Sequence, residues 1–73
     1  MDPSQEALVR ALHEYRHRHG WNQHQLCNVI NGALNFGWTQ PVVSKLERGQ
    51  RLLTLTEGLM LMRYLDIPLE DVT

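Results

Sequence analysis

The sequence predicts an all-α protein, a compact bundle of about five short helices in a single domain, residues 1–73. Apolar residues recur at helical spacing in several separate stretches, and residues that favour helix starts and helix ends flank those stretches. No stretch has the alternating pattern of a strand. A chain of this length forms one domain with a small core.

The first helix is predicted over residues 3–19. Asp2 suits the N-cap position, and Gln5 stands three residues later, as in a capping box. Gly20 ends the helix, and Trp21 is expected to pack back on the core as an anchor. The apolar residues that recur at i, i+3, i+4 and i+7 and face the core are Leu8, Ala11, Leu12 and Tyr15.

The second helix is predicted to begin at about residue 23, with Asn22 as its N-cap, and its end is left open between residue 31 and about Leu34. Its predicted buried residues are Leu26, Cys27, Ile30 and Leu34. Residues 31–38 include two glycines and two asparagines, which favour a turn or loop after the helix. Phe36 and Trp38 are expected to tie this segment to the core.

The third helix is predicted over residues 40–48. Thr39 suits the N-cap, where its hydroxyl can accept a first-turn N–H, Pro41 suits the first turn, and Gly49 suits the C′ position. Two apolar residues face the core, Val43 and Leu46, and four polar residues face outward, Gln40, Ser44, Lys45 and Arg48. A helix with two core anchors and a hydrogen-bonding outer face suits insertion into a nucleic-acid groove.

The fourth helix is predicted over residues 55–65, where Thr54 and Glu57 form a capping box. Its predicted apolar face consists of Leu55, Leu59, Met62 and Leu65. Residues 67–72 are predicted to form a last short turn. Two short helices with a polar outer face on the second, supported by apolar helices before and after, follow the helix-turn-helix plan.

The net charge of −1 argues mildly against a nucleic-acid binder, but the charges are unevenly distributed. Basic residues gather in the second half of the first helix and in residues 37–53. Acidic residues gather at the N-terminus and after residue 56. A basic side opposite an acidic side is typical of a nucleic-acid-binding surface.

Several classes of protein are excluded by absent patterns. The sequence has no signal peptide and no apolar run long enough to span a bilayer, and its single cysteine excludes an internal disulfide. These features predict a cytoplasmic, nucleoid-associated protein without membrane contact. No Gly-rich phosphate loop, paired carboxylates or Ser/His/Asp arrangement is present, so the sequence predicts no enzyme, no catalytic residue and no cofactor.

The four histidines are His13, His17, His19 and His24. His13 and His17 stand at i and i+4 of a helix, a spacing that can place two zinc ligands on one face. No third ligand at fixed spacing is evident, so no metal site is predicted. Two interpretations stay open, a solvated or phosphate-facing cluster and a small metal- or pH-responsive sensor.

Three stretches in order resemble one known family, over about residues 8–72. Residues 20–27, GWNQHQLC, resemble its opening of the second helix, and residues 43–49, VSKLERG, resemble its I-S-x-(I/L)-E-x-G motif. Residues 54–72 resemble its fourth helix and the turn that follows. The family is the phage-repressor-like (lambda repressor/XRE) helix-turn-helix domain.

The resemblance implies roles for the matching positions. The implied base-reading residues are Gln40, Val42, Ser44 and Lys45, with Gln40 reading adenine. The implied phosphate-binding residues are Asn22, Gln23, Thr39, Arg48, Gln50 and Arg51. The implied structural ion pair joins Arg16 to Glu47 and fixes the tilt of the third helix.

The connection between the second and third helices departs from the family pattern. About six extra residues, within residues 32–37, replace the tight turn, and the POU-specific domains have a similarly longer connection. This segment is expected to cover the core rather than to contact phosphate. Pro41 also departs from the usual polar residue at its position.

The resemblance implies sequence-specific binding of double-stranded DNA by a transcriptional regulator, in the first place a repressor. One such module reads few base pairs, so a homodimer on a palindromic site is expected. The alternative is an antitoxin or adaptor that uses the same fold to bind a protein partner. Salt dependence separates the two, because phosphate contacts weaken steeply with salt.

Overall fold

The structure is a computed structural model and describes residues 3–67. Within that range it consists of four α-helices and contains no strand: α1 (Pro3–Arg18), α2 (Gln23–Leu34), α3 (Gln40–Glu47) and α4 (Leu55–Tyr64). The all-α class and the four main helices are therefore confirmed. The predicted fifth element over residues 67–72 and the N-cap predicted at Asp2 reach outside the described residues.

Side chains begin α2 and α4 as the sequence predicts. Asn22 accepts a hydrogen bond from the Gln25 N–H at 2.8 Å, and the Gln25 side chain accepts from the Asn22 N–H at 2.9 Å. Thr54 and Glu57 form the same reciprocal pair at 3.1 and 2.9 Å. Each box satisfies first-turn donors that a helix cannot satisfy itself.

Residues with positive φ end the helices. The chain turns after α1 at Gly20 and after α3 at Gly49, with φ of 69° and 72°. In each case the next residue donates to a carbonyl five positions back, Trp21 to Arg16 and Gln50 to Lys45, as in a Schellman motif. Both glycines thus end their helices where predicted.

The core lies where the four helices meet. Its fully buried side chains come from all four: Leu12, Leu26, Ile30, Val43, Leu46 and Leu61. Cys27 is buried among them, as predicted, and its thiol donates to the Trp38 carbonyl at 2.9 Å. Burial of this apolar surface is the main driving force that holds the short helices in place.

The segment between α2 and α3 covers the core. Residues 32–34 belong to the last turn of α2, so the irregular connection is only residues 35–39. Trp38 is buried and Phe36 packs against the core, as predicted. The Asn31 side chain brackets the Trp38 backbone, accepting from its N–H at 2.8 Å and donating to its carbonyl at 2.7 Å.

The apolar face predicted for α4 is partly wrong. Leu55 and Leu59 are 80% and 51% exposed, whereas Leu61 is fully buried. The helix is apolar on most sides, so its sequence contains two overlapping stripes. The contact between α4 and α1 determines which of the two stripes is buried. Gly58 is buried against Leu8, and a Cβ added at Gly58 would lie 3.4 Å from the leucine methyl.

The capping hydrogen bond predicted for the Thr39 hydroxyl is wrong, and Gln5, the predicted partner of Asp2, makes a tertiary contact. Thr39 occupies the N-cap of α3, but its side chain accepts no capping hydrogen bond. Its carbonyl instead accepts from the N–H groups of Val42 and Val43 at 3.0 and 3.3 Å. The Gln5 amide makes two 2.9 Å hydrogen bonds with the backbone of Leu53. The side chain that was expected in a local capping box therefore makes a tertiary contact.

No helix of the described range combines the length and the apolar character that crossing a membrane requires.

Candidate nucleic-acid interface

The outer face of α3 is polar and accessible. Val43 and Leu46 are fully buried and fix the inner face of the helix against the core. Gln40 and Lys45 are exposed, and Val42 and Ser44 are half-buried. The four residues implied to read bases therefore share one helix, but only Gln40 and Lys45 are exposed on it.

Gln40 is held by Gln23 of the neighbouring helix. The Gln40 Nε2 donates to the Gln23 Oε1 at 2.6 Å, which joins the first residue of α3 to the first residue of α2. The Gln23 Nε2 in turn donates to the Glu47 Oε1 at 3.1 Å. Both ends of the Gln23 amide are thus engaged, and its orientation is set.

Glu47 is the centre of this network. Arg16 of α1 binds it at two points, with Nε 2.8 Å from Oε2 and Nη2 3.0 Å from Oε1. The His13 Nδ1 lies 3.3 Å from the same Oε1. The ion pair implied for Arg16 and Glu47 is present, and it connects α1, α2 and α3 through one carboxylate.

The Glu47 carboxylate stays charged despite its position. Burial acts to raise its pKa, but hydrogen bonds from Arg16 and Gln23 and the charges of Arg16 and His13 outweigh burial. The pKa of Glu47 therefore lies below its ordinary value. Arg16 also donates to the Trp21 carbonyl at 3.0 Å, so the same guanidinium fixes the turn before α2.

The residues implied to bind phosphate fall into two groups. Asn22, Gln23 and Thr39 lie at the starts of α2 and α3, where first-turn N–H groups point outward. Arg48 and Gln50 are exposed in the turn after α3. The Asn22 oxygen and N–H are already used in the capping box, so its side chain offers only its amide nitrogen.

Arg51 makes contacts that the resemblance did not imply. Its guanidinium makes two 3.1 Å hydrogen bonds to Glu57 and lies 5.8 Å from the centroid of the Trp38 ring. The Trp38 Nε1 donates to the same carboxylate at 2.8 Å. Burial acts to raise the pKa of Glu57. These hydrogen bonds and the one from Thr54 outweigh burial and lower the pKa to about 2. Arg51 thus links the segment after α3 to α4.

The histidines cluster along α1. The rings of His13 and His17 lie 4.3 Å apart, and His19 stacks on Trp21 at 4.4 Å with an interplanar angle of 12°. Within residues 3–67 no three histidine, cysteine or carboxylate side chains come together as a metal would require. His13 lies next to Glu47 itself, and the His17 Nε2 lies 3.5 Å from the Arg16 Nη2.

Sequence reasoning missed the contacts of His13, Gln23 and Arg51. For His13 a signal existed, because it stands three residues before Arg16 and so shares its helix face. Gln23 and Arg51 carried no such signal, since their partners lie on other elements.

Comparison with protein-family models, with curated proteins and with solved structures returns no match to this chain.

Proposed function

We propose that this chain is a helix-turn-helix domain that binds double-stranded DNA sequence-specifically, with α3 in the major groove. The observation that carries the proposal is the exposed amide of Gln40 at the start of α3, fixed by Gln23. A side chain held in one orientation before binding loses little freedom when it pairs with a base. A solvated helix face has no need of such an arrangement.

The chemistry of Gln40 suits adenine. Its Nε2 gives one hydrogen to Gln23, which leaves the second hydrogen and the Oε1 for a ligand. Adenine offers an N6 donor and an N7 acceptor in the major groove, the match for a glutamine amide. Lys45 and Ser44 would add hydrogen bonds one turn further along α3, and Val42 would contact a thymine methyl.

Phosphate contacts would flank the groove. Asn22 and Gln23 stand at the start of α2, Thr39 precedes α3, and Arg48 and Gln50 follow the end of α3. Arg51 is left out of the proposed set because Glu57 holds it. Exposed cations next to a polar helix supply the sequence-independent part of DNA affinity.

The biological role proposed is transcriptional regulation, in the first place repression by occlusion of a promoter. One domain contacts few base pairs, so useful specificity requires two copies on a palindromic site. The exposed Leu55 and Leu59 of α4 are the proposed contact between copies. They adjoin a groove of 430 Å³ lined by Leu59, Met62, Arg63, Asp66 and Ile67.

The test is selection from a pool of random duplex DNA at two salt concentrations, with Gln40→Ala and Lys45→Ala beside the wild type. The proposal predicts enrichment of a two-fold symmetric sequence, and relaxed preference at particular bases in each variant. Asn28→Ala, an exposed change on α2 away from α3, is the matched control. No enriched sequence, together with weak binding at low salt, would reject DNA reading.

A second candidate function is a protein-binding module, such as an antitoxin or adaptor. The observation that favours it is the exposure of Leu52, Leu55 and Leu59, at 62%, 80% and 51%. Exposed apolar side chains close together mark interaction surfaces. Partner capture that survives high salt, without any DNA binding, would favour this reading over the first.

A further inference from the structure

Three nitrogen atoms lie close to one oxygen of Glu47. The Oε1 lies 3.0 Å from the Arg16 Nη2, 3.1 Å from the Gln23 Nε2 and 3.3 Å from the His13 Nδ1. The Oε2 receives the Arg16 Nε alone, at 2.8 Å. A carboxylate oxygen has two lone pairs, and Arg16 and Gln23 already donate to the Oε1, so a proton on the His13 Nδ1 competes for the same atom.

We propose that His13 is a proton-controlled positioning residue for Gln40: when its imidazole is protonated, it takes the Glu47 Oε1 from Gln23 and frees the Gln40 amide. The inference rests on the proposed function, because it concerns the side chain proposed to read the base.

The displaced donor is Gln23 rather than Arg16. Hydrogen bonds in which the donor is charged are roughly twice as strong as neutral ones. Arg16 is a charged donor and holds Glu47 at two points, and protonated His13 is a second charged donor. Gln23 is the neutral member of the set, so it gives way.

Loss of the hydrogen bond between Gln23 and Glu47 also affects Gln40. The Gln23 amide is oriented by its donation to Glu47 and by its acceptance from Gln40. Without the first of these bonds the amide can rotate, and Gln40 loses the partner that fixes it. Discrimination at the base that Gln40 reads is then expected to fall as the pH falls.

The expected effect of pH on base discrimination is opposite to the effect of charge on DNA affinity. Protonated histidines add positive charge, which strengthens binding to any DNA phosphate. The positioning effect weakens preference for one base over another. Acidification should therefore raise affinity for unrelated DNA while it lowers the ratio of specific to unrelated binding.

Access and surroundings permit the switch. The His13 side chain is 44% exposed and can exchange protons with solvent, whereas that of Glu47 is 8% exposed and remains ionised near neutral pH. The residue that α2 contributes to this site is Gln23, which carries no charge. The titratable and charged groups that face His13 or line the adjoining groove are Glu6, Arg10, Arg16 and His17 of α1, Glu47 of α3, and Arg48 after it.

The first measurement needs no DNA. The side-chain amide signals of Gln23 and Gln40 are followed by NMR from pH 8 to pH 5.5, with the imidazole of His13 followed in the same samples. We expect both amides to shift with the midpoint of His13. His13→Asn, whose amide nitrogen replaces the Nδ1 without titrating, should remove the shift.

His17→Asn is the matched control, because His17 contacts His13 and lies 3.5 Å from the Arg16 Nη2 but makes no bond to Glu47. It should leave the amide shifts in place. Amide signals that do not move with pH, or that move equally in His13→Asn, would overturn the inference. This result is independent of whether the protein binds DNA.

The second measurement uses the duplex found by selection and a duplex changed at the base assigned to Gln40. In the wild type, discrimination between them should fall about three- to tenfold between pH 8 and pH 6, within what one bidentate base contact supplies. In His13→Asn it should stay constant. Constant discrimination in the wild type would overturn the inference, whereas absence of any preferred duplex at pH 8 would reject the proposed function instead.

Discussion

Arg16 and Glu47, 31 positions apart, form a two-point ion pair with nitrogen–oxygen distances of 2.8 and 3.0 Å. The pair ties the last turn of α1 to the last residue of α3. Its side chains are 14% and 8% exposed, so water screens it little. Because Gln23 binds the same carboxylate, the pair also fixes the position of α2 against α3.

Replacement of Glu47 by glutamine should destabilise the fold. The change keeps the shape of the side chain but leaves the Arg16 guanidinium without an anion. Breaking a buried pair from one side costs about 3–5 kcal/mol, and the remaining amide oxygen recovers part, so we expect a loss of about 2–3 kcal/mol. The melting temperature followed by circular dichroism should fall by about 10–20 °C.

The control for this change is Glu14→Gln, on α1, the helix of the pair's partner Arg16, but exposed and in no ion pair among residues 3–67. It should melt within a few degrees of the wild type. Equal melting temperatures for the two variants would contradict a stabilising role for the pair.

Stability should decrease in acid through Glu57 and Glu47. The pKa of Glu57 is about 2 and that of Glu47 also lies below the ordinary 4.5. The unfolded chain therefore takes up protons at a higher pH than the folded chain does, so stability is complete above about pH 4.5 and is lost as the pH falls towards 2. Thermal melts at pH 7, 4, 3 and 2 should show this decline.

Glu57→Gln separates the contribution of that carboxylate. The variant should be less stable than the wild type at pH 7, because Arg51 and Trp38 lose their charged acceptor. It should also lose less stability on acidification, since one titrating group is gone. An acid decline identical to that of the wild type would show that Glu57 does not carry the effect.

Gln23→Ala should change base preference if the proposed function holds. Gln23 need not touch the base that Gln40 reads, yet its loss removes the bond that fixes the Gln40 amide. We expect relaxed preference at the same base as in Gln40→Ala, by about 1–2 kcal/mol. Titration of duplexes varied at each position measures this.

The double variant Gln23→Ala/Gln40→Ala makes the test sharper. If Gln23 acts through Gln40, the two losses do not add at that base. His24→Ala, an exposed neighbour in the first turn of α2, should leave base preference unchanged. Additive losses, or losses at different bases, would separate the two glutamines.

The helix ends were predictable from sequence because they depend on near neighbours. Asn22 and Thr54 accept from N–H groups three residues later, and Gly20 and Gly49 have the positive φ that glycine adopts without a steric penalty. Thr39 has the same local signal as Thr54, but its side chain makes no capping bond. Position alone therefore does not decide how a hydroxyl is used.

Contacts between elements were less predictable. The buried face of α4 depends on the approach of Gly58 to Leu8, which lies 50 residues earlier, and the apolar helix offered no periodicity to decide it. The bond between Gln23 and Gln40 likewise depends on the packing angle of α2 and α3. The pair of Arg16 with Glu47 was reached only through the family resemblance.

The exposed leucines of α4 provide the last prediction. Leu55 and Leu59 share one face of the helix, and the adjoining groove carries one cation, Arg63, and one anion, Asp66. In a two-fold contact each copy can offer Arg63 to the other's Asp66, so the surface is self-complementary. A contact built on a ten-residue helix is small, and we expect a weak dimer that forms mainly on DNA.

Leu55→Glu/Leu59→Glu should abolish that dimer without unfolding the domain, because both side chains are largely exposed. Sedimentation velocity should show a monomer at concentrations where the wild type associates, and binding to a duplex with two half-sites should lose cooperativity. Affinity for a single half-site should stay unchanged, since neither leucine lies on α3. Thr56→Glu, an exposed change on the same helix, controls for added charge. Cooperativity retained in the double variant would move the contact between copies to another surface.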